Sequence, residues 1–129
     1  MGQQQLLLVV LSVLIVAIAI ALGLSLFLAE SVENNKHAIV DDIINLSTDA
    51  RLYRFRHLSM NGLNSFTGYV IPSKLATNDN AAYSVTAVSD TEISFLATSS
   101  QNISNTVSVQ IGANGSPVSG SWSFNGDFQ

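Results

Sequence analysis

His37 and Asp41 stand four residues apart, a spacing that sets an imidazole and a carboxylate on one helix face where they could share a metal ion. Two ligands on a solvated face make a poor site, so no metal is expected. Asp41-Asp42 and Asp90-x-Glu92 pair carboxylates as general acid and base catalysis would need, yet neither pair has a candidate pocket around it. A helix surface and a turn tip account for them better. Serine is abundant and the only histidines are His37 and His57, but no Gly-x-Ser-x-Gly context supports a hydrolase triad. Without cysteine there is neither a thiolate nucleophile nor a disulfide framework. The chain is expected to be no enzyme and to carry no cofactor.

Arg51, Arg54 and Arg56 alternate with Tyr53, Phe55 and His57, the one basic concentration in a chain of net charge −4. Such interleaving can bind nucleic acid or anionic headgroups, but three arginines on an acidic chain argue against a nucleic-acid partner. Residues 30–49 hold five acids and one lysine, so charge along this stretch runs from negative to positive. Parallel copies offset by about 10 to 20 residues, or about 15 to 30 Å, would set Arg51 or Arg54 beside Glu33, Asp41 or Asp42 of a neighbour. Asn45, Asn102 and Asn114 each open an Asn-x-Ser sequon. Such patterns arise by chance in a chain rich in Asn and Ser, and Asn102 and Asn114, in expected loops, are the two open to glycosylation.

The elements that must carry these residues begin with Leu6 to Leu28, 23 uncharged residues of which 17 are Leu, Ile, Val or Phe. As a helix the run reaches roughly 34 Å, slightly more than the roughly 30 Å of bilayer hydrocarbon. One membrane crossing is the natural reading. A cleaved secretory signal competes with it, but no Lys or Arg precedes the run, its length is great for such a signal, and Phe27 spoils a small-x-small site ending at Ala29. Ala19-Ile20-Ala21 is the remaining candidate cleavage site. Met1-Gly2 is no myristoylation signal, since Leu6 stands where Ser or Thr is wanted.

Beyond the run, Val32, Ile39, Ile43, Leu46, Ala50 and Tyr53 form one helical stripe, with Glu33, Asn34, Lys36, Asp41, Asn45, Asp49 and Arg56 opposite. Asn34-Asn35 is the weakest point of that helix. An unbroken helix from about residue 4 to about residue 57 would be roughly 80 Å long and would have to project from a small domain. Met60-Asn61-Gly62 reads as its stop, with Gly62 at C′, and Pro72 is expected to prevent any quick restart. Residues 61–81 are then mostly loop. Residues 83–88 and 92–97 alternate around a Ser89-Asp90 turn, residues 106–111 form a third strand, and Ser121-Trp122-Ser123-Phe124 a fourth. Val107, Val109, Ile111, Trp122 and Phe124 are expected to face inward, against the Ile39 to Tyr53 stripe. The fold class is α+β: one long N-terminal helix, apolar in its first half and amphipathic in its second, packed on a small antiparallel sheet of about four strands. The domain plan is an apolar helix over 1–30 and a globular domain over 31–129, comprising helix 31–58, loop 59–82 and sheet 83–128.

This order of elements resembles the bacterial type IV pilin and pseudopilin family over nearly the whole chain. The motif-level likeness rests on Gly2 directly before the apolar run, and Ser65-Phe66-Thr67-Gly68 is similar to a segment that follows the helix in short pilin-like proteins. The resemblance implies cleavage by a leader peptidase at Gly2 and polymerisation through the N-terminal helix. Two positions depart from the family: Met1 alone precedes Gly2, and Leu7 stands where the family carries a Glu. There is also no cysteine pair closing a C-terminal loop.

Ala17, Ala21 and Ser25 form one small-residue row and Ala19 and Gly23 another, as close helix packing in an apolar medium would use. The expected function is a structural subunit of a type IV pilus-like surface filament or pseudopilus. Its partners would be other copies of itself, the membrane before assembly, and a pilus or secretion assembly machinery. The alternative is a monomeric, membrane-tethered binding module. Either way the C-terminal domain is expected outside the cell, as part of a single-pass membrane protein or of a surface filament.

Overall fold

The computed structural model describes residues 2–59 and 64–129, with the side chains of 57–59 left aside. The Gly62 helix stop lies outside the described residues. Two compact units are present, Met1–Glu33 and Asn34–Gln129. Helix α1 (Gly2–Ser59) contributes to both. In the first unit it stands alone, and residues 2–30 are all exposed.

The second unit is α+β, its part of α1 packed on a four-stranded antiparallel sheet. Strands β1 (Ala81–Val88), β2 (Ile93–Ser99), β3 (Thr106–Ile111) and β4 (Ser123–Asn125) lie in the order β1-β2-β3-β4, so each pairs with its chain neighbour. Only short connections are needed for such a meander. Register aligns Tyr83 with Ala97, Ala97 with Val107 and Val107 with Phe124, and a bulge interrupts β1 between Val85 and Ala87. The period-2 alternation of the sequence sends Ile93, Phe95, Ala97, Val107, Val109 and Ile111 into the core. Ser84 and Thr86 stay exposed on the other face.

Ile39, Ile43, Leu46 and Ala50 of α1 cover the sheet and are at most 2 % exposed. While Val32 and Tyr53 at its two ends are half-buried, the middle of the stripe does what its spacing predicts. Fully burying one such side chain contributes about 1.5 to 3 kcal/mol, so these residues and the inner sheet face supply most of the driving force for a domain of this size.

The segment between helix and sheet departs from the expectation of a plain loop. Phe66, Tyr69 and Ile71 are buried in the core. A turn closes when the Tyr69 amide donates to the Phe66 carbonyl at 2.9 Å, with Gly68 at φ +87° in the position that a type II turn reserves for glycine. A Cβ there would also come within 3.1 Å of the Tyr53 hydroxyl. The expectation that Pro72 prevents a quick restart is corrected: a one-turn helix, α2 (Ser73–Ala76), follows it directly, and the Pro72 carbonyl accepts from Leu75 and Ala76. Proline is well suited to a helix start, where its missing N–H leaves no bond unmade.

Two further corrections concern the sheet. Trp122 and Phe124 are half-buried at the β4 edge, not in the core, and stack on each other in parallel with centroids 6.0 Å apart. Lys36 Nζ lies 4.5 Å from the centre of the Phe124 ring, so a cation covers the face that a core residue would otherwise bury. Phe128 takes the inner place instead, at the end of a 3₁₀ turn over Gly126–Phe128.

Candidate functional site

Leu6 to Leu28 form a fully exposed apolar surface on α1, and this helix is long and apolar enough to cross a membrane. The Ser12 hydroxyl donates to the Leu8 carbonyl at 2.8 Å, so this polar group is answered from within the helix. Ala17, Ala19, Ala21, Gly23 and Ser25 are all exposed along this surface, and a Cβ built on Gly23 would meet nothing within 4 Å. Gly2 is the first residue of the helix and is likewise exposed.

The charged candidates divide into those turned outward and those held by the domain itself. Asp42 is tied down: its Oδ2 accepts from the Tyr83 hydroxyl at 2.6 Å, from Asn78 Nδ2 at 2.9 Å and from Asn80 Nδ2 at 3.0 Å. Three donors on one oxygen clamp α1 to the start of β1 and to the turn before it. Burial alone would raise the Asp42 pKa, but the bonds from Tyr83, Asn80 and Asn78 outweigh it and leave the pKa below the ordinary carboxylate value. Burial, then the bond to Asp42, pushes the Tyr83 phenol upward, and burial and Asp49 do the same for Tyr69, whose hydroxyl donates to Asp49 Oδ2 at 2.7 Å.

A folded pKa below the unfolded one stabilises above the unfolded value and loses that contribution as pH falls through the folded value. For Asp42 the loss therefore begins below the ordinary value of 3.8. Asp90 is lowered as well, by bonds from Ser65 and then Thr67, and acts in the same window. The melting temperature of the domain should fall as pH drops below about 4, and Asp42→Asn should flatten that dependence without abolishing it. An unchanged pH profile in Asp42→Asn would remove Asp42 as the clamp.

Arg54 is also engaged inside the domain. Its Nη1 donates to the Ala113 carbonyl at 2.9 Å, and its guanidinium lies 5.5 Å from the centre of the Phe66 ring. Arg51 and Asp41 are exposed, and so is Glu33 on the first unit. The Arg51 stem fits against Gly115, where at φ +82° any Cβ would come within 2.6 Å of Arg51 Cδ.

Sequence reasoning missed Asn35, which is 5 % exposed, accepts from the Ser99 hydroxyl at 2.6 Å and donates to the Asn80 carbonyl at 3.2 Å. Its signal was available, because Asn35 lies four residues before Ile39 and so continues the buried stripe.

Among the described residues no group of three or more His, Asp or Glu could hold a metal ion. Asp90 is taken up by Ser65 and Thr67, and Glu92 by Gln110 Nε2. A concavity of about 340 Å³ beside β1 is lined by Tyr69, Val70, Ile71, Ala76, Tyr83, Ser84 and Val85, without a carboxylate or an imidazole among them. No protein-family model, curated protein or solved structure matches the chain.

Proposed function

We propose that this chain is a structural subunit that polymerises through residues 6–28 into a type IV pilus-like surface filament or pseudopilus. The observation that carries the reading is the contrast between the two units. The second buries its own core, whereas the first exposes an uncharged surface from Leu6 to Leu28 that water does not tolerate. Lipid solvates that surface before assembly, and neighbouring copies cover it afterwards. In an apolar medium, burial in lipid gives helices no reason to associate, so close packing must come from small residues, here the Ala17, Ala21, Ser25 and Ala19, Gly23 rows.

With Asp42 and Arg54 occupied within the subunit, charge pairing between copies falls to Arg51 and Asp41, which are both exposed. Exposed pairs contribute about 0 to 1 kcal/mol each, so they set register more than affinity. The β-domain would form the outer layer, outside the cell. The concavity beside β1 favours one other reading, a tethered monomer that binds a ligand there.

The chain has no cysteine of its own, which makes a single introduced one unambiguous. Ala21→Cys in intact membranes should give disulfide-linked dimers on mild oxidation, since Ala21 lies in the row assigned to helix contact. Exclusively monomeric Ala21→Cys would favour the tethered reading.

A further inference from the structure

We infer that Asn102, in the turn between β2 and β3, is a carbohydrate attachment site for a glycan delivered from a lipid-linked donor; the inference rests on the proposal that the domain is exported. The structure separates Asn102 from Asn114, which the sequence leaves equivalent, and bears on Asn45 as well. Asn45 lies within α1, where the Ser47 of its sequon is 2 % exposed and its hydroxyl is bonded to the Ile44 carbonyl at 2.6 Å. A transferase must read the amide and that hydroxyl together, and here the hydroxyl is inside the core.

Asn114 is exposed but boxed in. The Gly112 amide donates to the Ser116 carbonyl at 2.9 Å, Arg54 holds the Ala113 carbonyl, and Pro117 bridges to Ile111. Pro117 also restricts Ser116 to extended backbone. The loop can reach an enzyme cleft only by giving up these contacts.

Asn102 has neither obstacle. Asn102 and Ser104 are exposed, and Ile103 between them is 81 % exposed, so the sequon is the tip of the turn. Its base is fixed independently: the Asn105 amide donates to the Asn102 carbonyl and the Ser99 amide to the Asn105 carbonyl, each at 2.9 Å. Asn105 itself is 3 % exposed and its Oδ1 accepts from the Asp127 amide at 2.8 Å. The Asn102 Oδ1 accepts from the Ser104 amide at 3.0 Å, as Asn114 Oδ1 does from the Ser116 amide, so this local bond does not separate the two sites. This bond is exposed and is given up at small cost when the enzyme binds.

In the transfer, Asn102 Nδ2 attacks the anomeric carbon of a sugar held on a polyprenyl pyrophosphate. The N–C bond forms as the C–O bond to the pyrophosphate breaks, the lipid pyrophosphate leaves with the electron pair, and a base of the transferase takes the amide proton. Nothing is oxidised or reduced.

The test is the intact mass of the full-length chain, purified from membranes of the cells that naturally make it. The expected result is a mass above that of the polypeptide, with the gain lost in Asn102→Gln and in Ser104→Ala and kept in Ser104→Thr, Asn45→Gln and Asn114→Gln. Ser104→Ala leaves the backbone donor of the turn in place, so loss of the gain there reports on the sequon and not on folding. Unmodified mass in a chain whose C-terminal domain is cut by external protease would overturn the site. So would a gain that persists in Asn102→Gln. A domain shielded from that protease would instead remove the export on which the site depends.

Discussion

Ile43→Asp should abolish the cooperative melting of the C-terminal domain, whereas the same change one residue on, Ile44→Asp, should leave it folded. Ile43 is 0 % exposed beneath the sheet, while Ile44 is 44 % exposed. Removing the isoleucine forfeits about 1.5 to 3 kcal/mol of burial, and an unpaired carboxylate in the same place adds a desolvation cost of several kcal/mol more. A domain of about 100 residues has only about 5 to 15 kcal/mol to lose. Ile44→Asp replaces a wetted side chain and should shift stability by about 0.5 kcal/mol or less. Circular dichroism melts of the two variants decide the matter. Equal melting would mean that the helix does not cover the sheet through the Ile39 to Ala50 stripe.

That stripe was legible because burial on a helix repeats every 3.6 residues, and the strands because a half-buried sheet repeats every two. What escaped the sequence were positions where a polar or isolated residue is buried by a specific partner. Asn35 occupies a core-facing place on α1, but its amide looks solvent-like until Ser99 and Asn80 arrive from distant parts of the chain to satisfy it. Phe66, Tyr69 and Ile71 have no periodic spacing, since they lie in a turn segment outside any helix or strand. Trp122 and Phe124 alternate correctly yet sit at the sheet's open edge, where register alone does not secure burial. Of the candidate charges, sequence could not tell Asp41 from Asp42 or Arg51 from Arg54. In each pair the second is bound by loop atoms that only the fold brings near.

Gly23→Leu should cut assembly by an order of magnitude or more while sparing both folding and membrane insertion. A Cβ at this position meets nothing inside the chain, so the larger side chain costs the subunit nothing by collision, and leucine suits both helix and lipid. Between copies the consequence is opposite. Backbones that approach closely over Ala19 and Gly23 would be held apart by a branched side chain, and the dispersion energy forfeited along the row recurs at every subunit of a polymer. The chain should reach the membrane in normal amount, and its C-terminal domain should melt as before. Assembled material should fall by an order of magnitude or more, as a loss of about 1.4 kcal/mol per contact implies. Undiminished assembly in Gly23→Leu would take the small-residue rows out of the account.

The central claim is that residues 6–28 of many copies form the core of a filament with the β-domain as its outer layer. Electron microscopy of material sheared from cells that make this chain, with reconstruction of the density, tests it most directly. The account predicts thin filaments in which parallel helices fill the centre and the four-stranded domain lies on the rim. Sheared fractions free of such filaments, with the chain present only as a monomer in the membrane, would contradict it.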